Sequence, residues 1–255
     1  MVFTPAWSLP QSTPQEEMAT DDADIWRVSL DRTPDEIRLL FNLLSPDEQS
    51  RADRLRFAVH RNRYIASRGF LRQILNRYIH IAAREIRFFT GFHGKPQLNV
   101  SPEKTDLQFN LSHTHGLALY AVSRKHDIGI DVEYLGRACS PLKIARRFFT
   151  PGEAEIIAGL PEKIGRRAFF TCWTRKEAIL KAKGVGLTIP LNQFAVSVLP
   201  EDPPALVHAA WDRDEHSKWQ LFDIDPGRDY VASLAVEKGI SRFRFFDGGA
   251  DMICQ

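Results

Sequence analysis

The chain has 255 residues, 44% of them apolar, with 34 Lys and Arg against 32 Asp and Glu for a formal charge of +2. That is enough apolar material for one or two cores without disulfide support, and the near balance excludes a chain that is cationic throughout in the manner of a dedicated nucleic-acid binder. Three cysteines, Cys139, Cys172 and Cys254, lie far apart with no CxxC spacing, which excludes a disulfide framework and a thiolate metal site and fits a reducing, cytoplasmic setting.

Residues 1–24 mix prolines, hydroxyl residues and acids with little apolar content, so a loose leader is predicted. Ile25 to Leu30 reads as a first strand. At Ser45-Pro46-Asp47-Glu48 the chain shows a helix start, with Ser as N-cap, Pro at the first helical position and Glu placed to complete a capping box. Leu71, Ile74, Leu75 and Tyr78 then recur at spacings of three and four, the core stripe of a helix from about Arg61 to Ile79. Between Arg51 and Arg87 ten arginines stand against Asp53 and Glu85, a net +8 that leaves −6 for the rest of the chain. An anionic partner, large or small, is expected for that segment.

From residue 107 the period changes to two. Leu107, Phe109 and Leu111 alternate with Asn110 and Ser112, a turn at His113 to Gly116 leads into Leu117 to Ser123, and Ile128 to Glu133 follows. These three strands are predicted to form an antiparallel meander. Helical patterns return over Ile144 to Leu160 and Arg166 to Lys183, then strands near Phe194 to Leu199, Trp219 to Ile224 and Tyr230 to Val236. Helices followed by strands in both halves predict an α+β fold of two lobes, 25–125 and 126–255. No apolar run reaches the ~18 residues of a membrane span, and no signal peptide is evident.

In Ile128-Gly129-Ile130-Asp131-Val132-Glu133 the even positions are β-branched, so one strand face is buried and the other presents two carboxylates ~6.5 to 7 Å apart at Cα. Beside a glycine that clears space for a ligand, two such hard oxygen donors suit Mg²⁺ completed by substrate phosphate; an ordinary solvated strand face shows the same pattern. On the later helix Phe169, Trp173 and Leu180 share a stripe with Glu177 and Lys181 along its edge. Such a pair either borders a cleft or is an exposed Glu-to-Lys contact worth ~0.3 to 0.5 kcal/mol. The His113-x-His115 pair lacks the further ligands of a zinc site. Gly94-Lys95-Pro96 reads as a stiff loop and Gly184-Val185-Gly186 as a helix stop. No P-loop, GxGxxG or GxSxG element is present. Tyr64, Phe70 and Tyr78 among the arginines would be stacking residues in an RNA-binding or acidic-protein-binding module, although their spacing with Leu71 and Ile74 is more simply that of a core.

Taken together, Gly94-Lys95-Pro96, Phe109-Asn110-Leu111-Ser112-His113, Gly129-Ile130-Asp131-Val132-Glu133, Arg147-Phe148-Phe149 with Glu153, and Trp173-Thr174-Arg175-Lys176-Glu177-Ala178-Ile179-Leu180-Lys181 resemble the 4'-phosphopantetheinyl transferases of the Sfp type. The stretch Arg61 to Leu75, with Arg63, Arg68 and Leu71-Arg72, is similar to the family's N-terminal helix, and no motif match extends to the leader or past residue 200. The resemblance implies two pseudo-symmetric lobes, each a small antiparallel sheet packed by helices, forming a monomer with coenzyme A between them. It implies transfer of the phosphopantetheine arm of coenzyme A to a serine of an apo acyl or peptidyl carrier protein, releasing adenosine 3',5'-bisphosphate. By motif match Asp131, Glu133 and Glu177 would hold Mg²⁺, or Mn²⁺, which suits the same oxygens. Asp131 would thereby also bear on the coenzyme A diphosphate. Glu177 would help deprotonate the serine, Lys181 would stabilise the phosphates, and His113 and Ser112 would contact them. Lys95, Pro96, Arg63 and Arg68 would lie toward the adenine and 3'-phosphate. Two other readings stand beside this one: a different Mg²⁺-dependent enzyme cleaving the phosphoanhydride of coenzyme A, and the non-catalytic binding module. Neither nucleic acid nor membrane is expected as a partner, and no motif encodes whether a fatty-acid, polyketide or nonribosomal-peptide carrier is served.

Overall fold

The structure is a computed structural model that describes residues 2–9, 18–90, 95–99, 105–249 and 252. In the first half, strands β1 (Val2–Phe3) and β2 (Asp22–Ser29) precede helices α1 (Pro34–Phe41), α2 (Pro46–Asp53) and α3 (Ala58–Ile79), a short hairpin of β3 (Phe88–Thr90) and β4 (Pro96–Leu98), and the pair β5 (Leu107–Thr114) and β6 (Leu117–Arg124). The second half repeats this order. It runs through β7 (Ile128–Tyr134), α4 (Pro141–Phe148), α5 (Pro151–Ala158), α6 (Glu162–Lys183), β8 (Phe194–Val196), β9 (Leu206–Ala209), the single turn α7 (Glu215–Lys218), β10 (Trp219–Ile224) and β11 (Tyr230–Glu237), and closes with β12 (Arg242–Gly248).

Two four-stranded sheets result, in the orders β12-β2-β6-β5 and β1-β10-β11-β7. Each is antiparallel except for one strand from the far end of the chain: β1 pairs parallel with β10, and β12 parallel with β2. One face of the first sheet packs under α1 to α3 around Trp26, Phe70, Leu71 and Tyr120. One face of the second packs under α4 to α6 around Phe169, Phe170, Ile179 and Phe194. The opposite faces meet each other through Ile25, Leu119, Ile130, Val132 and Leu234, so the lobes share a dry central layer. Strands covered on both faces are apolar on both, which is why β6 reads Leu-Ala-Leu-Tyr-Ala-Val rather than alternating.

The expected meander is corrected. Both edges of β6 are taken, by β5 and by β2, so β7 cannot add there and instead opens the second sheet against β11. The helix expected over 144–160 divides at Phe149, because Thr150 caps a new helix with Pro151 in its first turn. The leader contributes β1, and residues 242–248, which matched no motif, form β12. Tyr64, Phe70 and Tyr78 pack in or against the first core, as their spacing indicates.

The repetition extends to single residues. Ser45 and Thr150 each begin a helix with a capping box closed by the Glu three positions on. Glu48 also pairs with Arg68 and Arg72, both at 2.7 Å, and Glu153 with Lys176 at 2.9 Å. In both pairings a fully buried cation from a long helix also donates to two backbone carbonyls. Arg72 reaches Ala83 and Ile86; Lys176 reaches Leu191 and Phe194. Charges so buried are tolerable only when every donor is met this way. Lys176, inside the Trp-x-x-Lys-Glu motif, is therefore a fixture of the core. Among the described residues no helix is long and apolar enough to cross a membrane.

Candidate functional site

β5 and β7 are facing edge strands of different sheets, and side chains take the place of a ladder between them. Asn110 Oδ1 accepts from the Ile130 amide at 2.9 Å, and Ser112 Oγ accepts from the Val132 amide at 3.3 Å. Ser112 Oγ in turn donates to Asp131 Oδ1 at 2.8 Å. The alternation of Asn110 and Ser112 thus stitches the two lobes together, and it fixes the carboxylate of Asp131 where the seam opens.

The opening is a cavity of about 460 Å³ walled by Ser112, His113, Thr114 and His115 of the first lobe and by Asp131, Glu133, Arg137, Trp173 and Glu177 of the second. Asp131 is 5% exposed. Its Oδ1 also receives Lys181 Nζ at 2.6 Å, while its buried Oδ2 has no hydrogen-bond partner. Burial, followed by the negative charge of Asp131, pushes the Glu177 carboxyl up to about 7, although Lys181 opposes this. The same two causes raise Glu133 against the pull of Arg137, whose Nη1 donates to Glu133 Oε1 at 2.9 Å. His113, the penultimate residue of β5, is exposed as a whole residue; partial burial of its imidazole, with Lys181 nearby, lowers its affinity for a proton.

Ser112, His113, Asp131, Glu133, Glu177 and Lys181 are therefore brought together. Among the described residues no group of three His, Cys, Asp or Glu stands at the separations of a bound metal. Their chemistry nevertheless suits one: three carboxylates face two cations, one buried oxygen lacks a partner, and oxygen-only donors favour Mg²⁺ or Mn²⁺ over zinc. Gly129 does not clear space for a ligand. A Cβ there would meet Ala178 O at 2.2 Å and Ala182 N at 2.3 Å, so its missing side chain lets the α6 backbone rest on β7 and sets Glu177 and Lys181 over Asp131.

The remaining sequence candidates lie outside this wall. Arg63 binds both oxygens of Asp31, at 2.7 and 3.0 Å, beside Gly116. Gly116 has φ +84°, and an added Cβ would press on Asp31 at 2.5 Å; the pair thus props the turn that carries His115. Arg68 is held by Glu48. Lys95 spans the lobes, its Nζ 3.4 Å from Ile128 O and 3.3 Å from Ala182 O, and burial lowers its affinity for a proton. Pro96 begins β4, and Gly94 lies outside the described residues. Sequence reasoning missed Arg137 and His115 as cavity residues. It also missed Arg166, which donates to Leu135 O at 2.6 Å and to Arg137 O; these contacts depend on a turn that no periodicity marks.

Comparison with known proteins shows the family. A family model described as "4'-phosphopantetheinyl transferase superfamily" matches residues 127–235, and one described as "4'-phosphopantetheinyl transferase, N-terminal" matches residues 29–125. The chain is 37% identical to 4'-phosphopantetheinyl transferase HetI of Nostoc sp., over 88% of this chain and 91% of that protein. It is 27% identical to 4'-phosphopantetheinyl transferase Sfp of Bacillus subtilis, over 80% and 88%. It is 29% identical to L-aminoadipate-semialdehyde dehydrogenase-phosphopantetheinyl transferase of Pongo abelii, over 76% and 67%.

Proposed function

The chain belongs to the 4'-phosphopantetheinyl transferase superfamily and transfers the phosphopantetheine arm of coenzyme A to a carrier protein, and from that premise we propose that the cavity between β5 and β7 receives the coenzyme A diphosphate. The observation that supports this most is the partnerless buried oxygen of Asp131 beside a Glu177 carboxyl raised to about 7. Asp131, Glu133 and Glu177 would hold Mg²⁺ or Mn²⁺. When bound, the cation supplies charge neutralisation at the diphosphate.

The chain's own groups act around it. Lys181, steadied on Asp131, offers its ammonium to a phosphate oxygen, and His113 donates a hydrogen bond to another. Ser112, already spent on Asp131, holds that carboxylate in register and borders the phosphates. Glu177, poised near neutrality, accepts the proton of the carrier serine directly or through one water. The serine Oγ bonds to the phosphorus that bears pantetheine as the bond to the other phosphate breaks, and adenosine 3',5'-bisphosphate leaves. The nucleophile belongs to the partner, so the enzyme needs none, and alignment with charge neutralisation supplies the rate. Arg63, Arg68, Lys95 and Pro96 are assigned toward the adenine and 3'-phosphate, with Arg63 next to the cavity turn.

The enzyme would thus act as a holo-[acyl-carrier-protein] synthase, a cytoplasmic monomer that uses neither nucleic acid nor membrane. Incubation with coenzyme A, Mg²⁺ and an apo carrier protein tests the reading: the carrier gains the mass of one phosphopantetheine. No gain across fatty-acid, polyketide and nonribosomal-peptide carriers would overturn it, and adenosine bisphosphate released without any carrier would indicate a hydrolase instead.

A further inference from the structure

Among the described residues Arg137 is the one arginine in the cavity wall, and its guanidinium pairs with Glu133. Glu133 is 12% exposed at the side chain and Arg137 51%, so the carboxylate is set in the wall while the guanidinium stands half in solvent. The backbone beneath is fixed. Arg137 N closes a turn on Tyr134 O at 3.1 Å, and Arg166 of α6 donates to Leu135 O and Arg137 O. The helix that carries Glu177 therefore also anchors the turn that carries Arg137, and only the side chain is free to swing.

The charges say what that swing does. Asp131, Glu133 and Glu177, all ionised, carry −3; Lys181 on Asp131 and Arg137 on Glu133 leave −1. A divalent cation added to that cluster makes one protein cation surplus. Lys181 is the more enclosed of the two, 27% exposed at the side chain and 2.6 Å from Asp131, whereas a half-exposed pair such as Arg137 with Glu133 is weak and yields first. A planar guanidinium released beside a diphosphate matches its oxygens in geometry as well as charge.

We propose that Arg137 is a stand-in counter-ion, holding Glu133 until the divalent cation and the diphosphate of coenzyme A enter, and then turning its guanidinium to a diphosphate oxygen. The proposal rests on the reading that Asp131, Glu133 and Glu177 hold a divalent cation. It makes Arg137 a competitor of the metal in the free enzyme and a ligand of the substrate in the complex, two effects of opposite sign that a purely structural ion pair would not give.

The test measures Mn²⁺ binding by electron paramagnetic resonance, and coenzyme A binding by calorimetry with Mn²⁺ present, for wild type, Arg137→Gln and Arg137→Lys, with melting curves to confirm that each is folded. Arg137→Gln is expected to bind Mn²⁺ roughly two- to fivefold more tightly than wild type in the absence of coenzyme A, and coenzyme A about tenfold more weakly. Arg137→Lys keeps the charge and stays near wild type for Mn²⁺. Unchanged or weaker Mn²⁺ binding by Arg137→Gln would overturn the counter-ion role, and unchanged coenzyme A affinity would overturn the transfer to phosphate. If wild type bound no Mn²⁺ with or without coenzyme A, the carboxylate-site reading itself would fall.

Discussion

Replacing Gly129 with alanine adds a single methyl group, and the structure dictates where it goes. The new Cβ would lie 2.2 Å from Ala178 O and 2.3 Å from Ala182 N, both main-chain atoms of α6. Non-bonded carbon needs well over 3 Å, and neither atom can rotate away, so α6 must shift from β7 by about 1 Å. Overpacking of that kind costs about 1 to 3 kcal/mol, which in a chain of this size lowers Tm by roughly 2 to 12 °C. The catalytic cost is larger. Glu177 and Lys181 ride on the displaced turns, Lys181 now only 2.6 Å from Asp131, and misplacement by 1 Å is worth ~10²-fold in rate. Phosphopantetheine transfer followed by carrier mass, with calorimetric melting in parallel, should show a small loss of stability and a loss of about two orders of magnitude in rate. A variant with wild-type Tm and wild-type transfer would refute the claim that Gly129 sets the helix on the strand.

Glu177→Gln should reduce transfer by at least ~10²-fold while its Tm at pH 8 in chelator equals or exceeds wild type, since the ionised carboxyl is the form that burial disfavours. Glu48→Gln should cost about 3 kcal/mol in urea titrations at pH 7, because Arg72 is left buried and poorly paired. Burial alone would raise Glu48, but Arg68, the Ser45 amide and Arg72 outweigh it and hold the carboxyl below its ordinary 4.5. Its folded-state affinity for a proton is thus depressed, so its stabilisation is complete above about pH 4.5 and disappears as pH falls through the lower folded value; the gap between wild type and Glu48→Gln should close in acid. Dialysis against chelator should abolish transfer and added Mg²⁺ or Mn²⁺ restore it, and activity that persisted at full rate would contradict the assignment of the three carboxylates.

The site was legible in the sequence where local pattern fixes geometry. The alternation that buries Ile128, Ile130 and Val132 leaves Asp131 and Glu133 on a shared face, and four residues of helix put Lys181 beside Glu177. The capping box at Ser45 was equally plain in residue type, whereas the one at Thr150 was passed over because the apolar pattern runs on across it. What stayed hidden depended on distant partners. Nothing near Glu153 announces that its carboxylate meets Lys176, and nothing near Arg68 shows that Glu48 occupies it. β7 carries the same apolar alternation whether it pairs with β6 or with β11. The choice follows from β2 having taken the last edge of β6, a contact across about a hundred residues. Gly129 was legible as special but not as to why, because the atoms that forbid a side chain belong to another element.

The exchange of β1 and β12 between the two sheets should make the two lobes unfold as one cooperative unit. Val2 and Phe3 complete the sheet of the second lobe, and β12, more than two hundred residues later in the sequence, completes that of the first. Asp22 and Asp24 are 0% and 2% exposed, and their carboxylates are met by Arg242 and Arg244 across the β2–β12 pairing. A nascent chain that has emerged only through β6 therefore holds two carboxylates destined for burial without their guanidinium partners, and its first lobe waits unfinished for β12. Neither half should survive as a separately expressed domain unless the other's terminal strand is grafted onto it, and heating the intact chain should give one unfolding transition rather than two.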